Sequence, residues 1–284
     1  MFFSAATESG VRNSPNEDWL AISPTTAIVL DGVTVFKEVK TGCMHGTPWY
    51  VNQLGTRFLA AALDQDIPLR YALRTAISGV AGLHADVCEL DHIGAPSAAV
   101  GAIRKAGQFI EHLVLADVTI VINSIHGLTV VSDERVSCAV GDLAEQNTSN
   151  AEVMKRRERY RNKRGGYWVA AADPDVVEHA KTGRLPLDGF RCAAIMSDGV
   201  SRLVSPFEQT DWPGVLSLVE NVGPAALIDR IRHVESSDME RTRWPRFKVS
   251  DDATIAFIRA QAQTEEFNSN SQGVTYVDCG DQYG

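Results

Sequence analysis

Long apolar runs and paired cysteines are both missing from this sequence of 284 residues. No segment reaches the roughly 18 consecutive apolar residues that a membrane-spanning helix needs, and the first residues lack the basic and apolar regions of a signal peptide. The cysteines are odd in number and scattered, with no Cys-x-x-Cys pair, which argues against a disulfide framework or a structural zinc site. We therefore expect a cytoplasmic protein that has no membrane partner.

Basic side chains are also scarce, since 27 Lys and Arg stand against 36 Asp and Glu, for a net charge of −9. This balance argues against nucleic acid as the main partner, because a phosphate backbone would repel the protein. Neither Gly-x-x-x-x-Gly-Lys-Ser nor Gly-x-Ser-x-Gly occurs, so P-loop and α/β-hydrolase chemistry lack support. What is present, 44% hydrophobic and 22% charged residues, is typical of a chain that buries a core.

The order of apolar patterns predicts one layered domain followed by a tail. No repeat or long linker divides residues 1–260, whereas residues 261–284 are polar and are expected to be flexible, with a possible edge strand at 274–277. Runs of strands and then of helices, rather than a strict βαβ alternation, favour an α+β fold. Strands are predicted within 1–35, 97–131, 192–196 and 253–258, and helices within 47–92, 150–164 and 224–234.

Acidic residues stand directly against strongly apolar strands in four separate parts of the chain. Asp31 and Asp198 follow such runs, Asp251 precedes one, and Glu17-Asp18 leads into another. A carboxylate at the rim of a core is costly unless it is hydrated, hydrogen-bonded or paired with a cation. If these strand ends converge, a divalent cation removes the mutual repulsion, and all-oxygen ligands suit Mg²⁺ or Mn²⁺.

Each of these acids also has a simpler interpretation. Asp-Gly is a common turn dipeptide, and Asp251-Asp252 would serve as a strand-edge charge that blocks aggregation. Periodicity alone does not distinguish a turn from a metal ligand. The order and the flanking residues of the four motifs taken together distinguish the two interpretations.

Taken in order, the four motifs resemble those of the metal-dependent protein phosphatases of the PPM (2C) type. The resemblance runs from residue 10 to residue 259, and each motif is short. The motifs are Gly10-Val11-Arg12…Asn16-Glu17-Asp18, Ala27-Ile28-Val29-Leu30-Asp31-Gly32, Ile195-Met196-Ser197-Asp198-Gly199 and Ser250-Asp251-Asp252-Ala253-Thr254.

This resemblance implies a fold and a function. The fold is a four-layer α-β-β-α sandwich in which two antiparallel sheets are flanked by helices. The implied activity is hydrolysis of phosphoserine and phosphothreonine in a phosphoprotein substrate, by a water that bridges two Mn²⁺ or Mg²⁺ ions and without a phosphoenzyme. Such an enzyme is a PP2C-like hydrolase.

The resemblance also implies roles for individual residues. Asp31 would bridge both ions with help from the Gly32 carbonyl, Asp198 and Asp251 would complete the shell of one ion, and Glu17 and Asp18 would serve the other. Asp117 falls where the family has an acid that supports a third metal; a structural hydrogen bond is the alternative for it. Arg12 is the candidate for the phosphate clamp, since a guanidinium bonds two phosphate oxygens at once; the alternative is a surface loop arginine.

Three departures from the family pattern bear on activity. Val33 follows Asp31-Gly32 where many members have histidine or methionine, and the histidine is proposed to protonate the leaving oxygen. His45 is near in sequence and is a candidate replacement, the alternative being a solvated loop histidine. Arg12 stands five positions before Glu17 instead of four, and Asp117 lacks the glycine and serine that usually flank it.

These departures leave other functions open. One alternative is a pseudophosphatase that binds a phosphorylated partner without turnover, and another is a phosphatase of small phosphorylated metabolites. The segment 155–164 has seven basic residues among ten and would form either a solvated helix face or a contact for an anionic partner. Cys43 and His45 could ligate a soft metal, but the sequence indicates no second pair to complete a site.

Overall fold

The structure, a computed structural model, describes residues 1–34, 41–140, 148–261 and 274–276. The strands are β1 Phe2–Glu8, β2 Trp19–Ile22, β3 Thr26–Gly32, β4 Ala98–Ala106, β5 Phe109–Leu115, β6 Thr119–Ser124, β7 Gly127–Val131, β8 Lys181–Pro186, β9 Phe190–Met196, β10 Ala253–Arg259 and β11 Val274–Tyr276. These described strands form two sheets. The first has the strand order β1-β10-β9-β6-β7-β11 and the second β2-β3-β4-β5-β8. Neighbouring strands are antiparallel except β11, which pairs parallel with β7.

Helices lie on the outer faces of both sheets, so the predicted four-layer α-β-β-α sandwich is confirmed. One core lies between the second sheet and α1 and α2, another lies between the first sheet and α6 and α7, and a third lies between the two sheets. The helices are α1 Gly46–Ala62, α2 Leu69–His84, α3 Arg135–Val140, α4 Asn150–Tyr160, α5 Asp198–Ser201, α6 Trp212–Val222 and α7 Pro224–Ser236, with a 3-10 helix at Pro174–His179.

The central strands are buried on both faces, which explains their continuous apolar runs. In β3, Ile28 and Leu30 pack on the helix side, whereas Ala27 and Val29 face the other sheet. Since side chains alternate along a strand, a strand between two cores cannot show an alternating polar pattern. An uninterrupted hydrophobic run is the sequence signature of such a strand.

Strand register brings distant acidic residues to one edge of the sandwich. Strands β9 and β10 are antiparallel, with Met196 paired to Ile255, so the end of β9 lies beside the start of β10. The Ser197 N–H continues the pairing by donating to the Thr254 carbonyl at 3.0 Å. The residues that follow β9 and those that precede β10, Asp198 and Asp251, therefore emerge at the same place.

Most predicted elements are present, with shifted ends. The charged helix predicted over 150–164 ends at Tyr160, and the strand predicted within the tail exists as β11. Most of the proposed tail, 261–284, lies outside the described residues. In the described ranges no helix is both long and apolar enough to cross a membrane.

Candidate metal centre

The acidic residues of the sequence motifs meet at the edge where β3 and β9 end and β10 begins. The Asp198 backbone N–H donates to Asp31 Oδ2 at 3.2 Å. The Ser197 hydroxyl donates to Asp18 Oδ2 at 2.9 Å, and the Thr34 hydroxyl donates to Glu17 Oε2. Four of the predicted ligands thus lie in one connected group.

Two glycines are required by how closely the backbone segments approach each other at this edge. A Cβ on Gly199 would lie 1.9 Å from the Asp252 carbonyl oxygen, and a Cβ on Gly32 would lie 2.3 Å from the Glu17 carbonyl oxygen. No side chain fits at such distances. The Asp-Gly pairs therefore serve the packing of this site, beyond the turn role that the dipeptide usually has.

Asp252, which the sequence suggested only as part of an acidic pair, holds the N-terminal loop against the site. Its carboxylate accepts from the Gly10 N–H at 2.8 Å and from the Glu17 N–H at 2.7 Å. The Gly32 N–H then donates to the Glu17 carbonyl at 3.1 Å. Asp252 is thus a positioning residue, and no local signal distinguishes it from Asp251.

Burial and mutual repulsion make this cluster unfavourable for several charged carboxylates at once. Burial is the larger cause and neighbouring acids the smaller one: together they raise the pKa of Asp18 to about 8 and hold the pKa of Asp31 well above its ordinary value. The pKa of Asp117 is raised to about 7 by burial and by the charge of Asp198. A bound cation would reduce the free-energy cost of charging these carboxylates. The cluster is accessible from solvent, because the Asp198 side chain is 41% exposed.

Two cationic side chains already neutralise Asp251. The Arg202 guanidinium lies 2.6 Å from Asp251 Oδ2, and the Lys248 ammonium bonds Asp251 Oδ1 and, at 2.7 Å, the Thr34 hydroxyl. Although burial raises the pKa of Asp251, these two cations outweigh it and lower that pKa overall. Asp251 is therefore the acid of the cluster that is held in its charged form.

The basic segment 155–164 is only partly a solvated helix face. Arg157 donates to the Thr34 carbonyl at 2.8 Å, and its charge acts on Asp117, Asp251 and Glu17. Arg161 donates to the backbone carbonyls of residues 92 and 95, both at 3.1 Å. These inward contacts of Arg157 and Arg161 could not be predicted from the sequence, because a run of charged residues does not show which of them are buried.

The two predicted catalytic side chains other than Asp31 have different surroundings. Arg12 is exposed, and His45 lies with Cys43, His84 and Cys88. Val33 donates its N–H to the Ser97 carbonyl at 2.9 Å. The roles of Arg12 and His45 therefore stay predictions, and the contacts around His45 suggest a different one.

The turn before Asp117 keeps the shape that a glycine normally provides. Ala116 has a φ of 66°, in the left-handed region that glycine adopts at little cost. This is the position where the phosphatase motif has glycine. Ala116 thus adopts a conformation that suits glycine, and Asp117 lies within electrostatic reach of Asp198.

Comparison with solved structures identifies the fold. The serine/threonine phosphatase PstP of Mycobacterium tuberculosis superposes with a TM-score of 0.56 at 15% identity, covering 92% of this chain and 99% of that one. The PstP catalytic domain in complex with two manganese ions gives 0.55 at 17%, covering 91% and 97%. The PPM phosphatase MsPP of Mycobacterium smegmatis in complex with cacodylate gives 0.53 at 18%, covering 92% and 99%.

The chain therefore has the PPM-type phosphatase fold, over nearly the whole length of these structures. No protein-family model and no curated protein matches the sequence. The likeness, at 15–18% identity, is one of fold.

Proposed function

We propose that this protein is a metal-dependent phosphatase that hydrolyses phosphoserine and phosphothreonine in proteins, with two Mn²⁺ or Mg²⁺ ions held by the carboxylate cluster. The observation that carries the proposal is the convergence of Asp31, Asp198 and Asp251 from three separate strands at one edge of the sandwich. The PstP domain of the same fold is described in complex with two manganese ions. The PPM fold thus accommodates such a pair.

The donor set fits hard divalent ions. Its side-chain members are carboxylates, which suit Mg²⁺ and Mn²⁺ better than soft metals. Burial and then neighbouring acids raise the pKa of Asp18 and Asp31, and a bound cation would favour their charged forms. Asp31, Gly32, Asp198 and Asp251 would hold one ion, and Glu17 and Asp18, with Asp31, the other; Asp117 would assist a third. When bound, two such ions would supply an activated water and neutralise phosphoryl oxygens.

The chain's own residues would orient the reaction. Asp252 fixes the loop that carries Glu17, and Arg202 holds Asp251 and lies 3.7 Å from Asp198. Arg12, on the exposed loop before Glu17, is the predicted phosphate clamp, and Arg157 is a second guanidinium near the cluster. In-line attack by water needs no protein nucleophile, so no phosphoenzyme is expected.

The decisive experiment measures phosphate release from a phosphothreonine peptide and from p-nitrophenyl phosphate with Mn²⁺, with EDTA, and in the variant Asp31→Asn. We expect activity with Mn²⁺, loss of activity in EDTA, and a fall of at least about 100-fold in Asp31→Asn, because electrostatic stabilisation by such centres contributes several kcal/mol. Asp229→Asn, a change of an exposed acid on α7, is the matched control. Activity that is indifferent to both EDTA and Asp31→Asn would refute the mechanism.

A binding module is the second candidate function, and Lys248 is the observation that favours it. Its ammonium contacts the Asp251 carboxylate, where a catalytic ion is expected, and Val33 replaces a residue that can protonate a leaving group. Tight binding of the phosphopeptide with no phosphate release would support a pseudophosphatase. Preference for small phosphorylated metabolites over peptides would instead indicate the third function considered from the sequence.

A further inference from the structure

Two thiols and two imidazoles converge at the start of α1, and none of them belongs to the carboxylate cluster. The ligand atoms of Cys43, His45, His84 and Cys88 all lie within 4.8 Å of one another. His45 Nδ1 is 3.6 Å from Cys43 Sγ and 3.5 Å from Cys88 Sγ, and His84 Nδ1 is 3.5 Å from Cys43 Sγ. The expectation that no second pair completes a site with Cys43 and His45 was therefore wrong.

The fold builds this cluster from two segments that are far apart in sequence. One pair precedes α1, whereas His84 ends α2 and Cys88 follows it by one helical turn, with the Cys88 N–H donating to the His84 carbonyl at 2.9 Å. Spacing of four residues on a helical turn puts both side chains on one side. The Glu89 N–H donates to the Gly42 carbonyl at 2.8 Å and joins the two segments directly beside the four donors.

The imidazole rings are held in place by an aromatic side chain. The Trp49 ring stacks on His45, with ring centroids 4.1 Å apart, and lies 5.1 Å from the His84 ring. Cys43 and His84 are 7% and 4% exposed, so two of the four donors are shielded from water. Because the rings are restricted and two donors are shielded from water, the site is preorganised for a metal ion.

The distances agree with tetrahedral coordination. Zinc bonds sulfur at about 2.3 Å and imidazole nitrogen at about 2.0–2.1 Å, so a tetrahedral angle puts the two donors about 3.5 Å apart. The three measured sulfur–nitrogen distances are 3.5, 3.5 and 3.6 Å. Two thiolates and two imidazoles form the Cys₂His₂ set that structural zinc sites use, and thiolates select against Mg²⁺ and Ca²⁺.

We propose that Cys43, His45, His84 and Cys88 bind one structural zinc ion. Binding forms two zinc–sulfur and two zinc–nitrogen bonds and releases the two thiol protons to solvent, with no change in oxidation state. The ion would tie the start of α1 to the end of α2. Thr47, in the first turn of α1, donates to the Val33 carbonyl at 3.3 Å, so the ion would also anchor the helix turn that bonds this carbonyl, two residues after Asp31.

The test measures zinc content in the full chain, purified from zinc-supplemented cells and desalted, by mass spectrometry of the metal. We expect one zinc per chain in the native protein and in Asp31→Asn, which removes an acid of the other centre, and less than about 0.2 in Cys88→Ser. Cys138→Ser, a change of an exposed cysteine, is the matched control and should retain one zinc. Circular dichroism verifies that each variant is folded.

Cobalt titration supplies a readout independent of activity and of variant folding. Added to the metal-free native protein, Co²⁺ should give thiolate-to-metal charge-transfer and tetrahedral d–d bands that zinc abolishes, and Asp31→Asn should give the same bands. Removing zinc from the native chain should lower the melting temperature by about 5 °C or more. Absence of both zinc and thiolate–cobalt bands in native protein would overturn the proposal, and so would a Cys43–Cys88 disulfide in the unreduced mass spectrum.

Discussion

Asp31 and Asp251 carry the same functional group in opposite electrostatic surroundings. Burial and four neighbouring acids raise the pKa of Asp31, whereas Arg202 and Lys248 lower the pKa of Asp251 despite its burial. The cluster is therefore not uniformly short of positive charge. A cation gains most near Asp31, and near Asp251 it meets an ammonium that already occupies one carboxylate oxygen.

Substitution of Lys248 by methionine should tighten Mn²⁺ binding and destabilise the metal-free protein. Two cations that share a carboxylate lie about 5 Å apart, and repulsion between a single and a double charge at that distance is about 1.7 kcal/mol even in bulk water. We therefore expect the Mn²⁺ dissociation constant to fall by about tenfold or more. Calorimetry with Mn²⁺ and thermal melts in EDTA measure the two effects.

The control for this change is Lys163→Met, in which an exposed lysine that bonds the Glu158 carbonyl is replaced. It should leave both quantities unchanged. Weaker Mn²⁺ binding in Lys248→Met would contradict the prediction and would mean that the lysine serves mainly to orient Asp251.

At the scale of elements, the end of α1 is held by an arginine from the sheet below it. Arg104 in β4 is fully buried and donates to the carbonyls of Ala62, Asp64 and Ile67 at 2.8–2.9 Å. Arg104 also forms a salt bridge with Glu111 in β5, with 2.6 Å between the guanidinium nitrogen and the carboxylate oxygen. One side chain thus satisfies the Ala62 and Ile67 carbonyls at the helix end and its following turn, and it adds a second donor to the Asp64 carbonyl, which also accepts from the Ile67 N–H.

Replacement of Arg104 by methionine should lower the free energy of unfolding by about 3 kcal/mol or more. Methionine is a long unbranched side chain but leaves the buried Ala62 carbonyl and the partly buried Ile67 carbonyl without this donor, and Glu111 without its cation. Urea unfolding followed by circular dichroism measures the loss. Arg230→Met, on the exposed side of α7, should change stability by less than about 0.5 kcal/mol, and an equally small effect of Arg104→Met would refute the argument.

Elements with strong apolar periodicity are predictable, and elements defined by partners are less so. The helices α1 and α2 and the strands β3, β9 and β10 follow from their own residues. Strand β8 does not, because its side chains alternate between partly buried and exposed positions and include Gly183 and Pro186 at an edge of the sheet. It is a strand because β5 offers an edge for it to pair with, which is tertiary information.

At the scale of the whole molecule, a group of hydrogen bonds joins the end of the outer helix α7 to the segment that leads into β10. Asp238, just after α7, accepts from Arg246 at 2.7 Å and from three backbone N–H groups of residues 242–244. Arg246 also donates to the Val249 carbonyl at 3.0 Å, shortly before Asp251. These bonds fix the approach of the chain to β10.

The global stability should therefore depend on the charge of Asp238. Burial raises the pKa of Asp238, but Arg246 and the backbone donors outweigh it and lower that pKa to about 2 from 3.8. A lowered carboxyl pKa contributes stability in full above the unfolded value and loses it as pH falls through the folded value. The difference in melting temperature between native protein and Asp238→Asn should thus be largest above about pH 5 and shrink between pH 4 and pH 2.

Thermal melts of both proteins at pH 6, 4 and 3 measure this difference. The exposed Asp229→Asn variant should show a small difference that does not change over that range. A gap between native and Asp238→Asn that stays constant with pH would contradict the assignment of the effect to the charged carboxylate.

The layered α+β architecture and the acidic motifs could be predicted from the amino-acid sequence, because both depend on the pattern of neighbouring residues. Continuous apolar runs indicate strands covered on both faces, and acids at their ends mark where those strands emerge from the core. The folded chain was needed to show that Lys248 and Arg202 neutralise Asp251 and that Cys43 and His45 lie beside His84 and Cys88. Such contacts join residues up to 49 positions apart. The spacing of neighbouring residues does not predict which distant side chains come into contact.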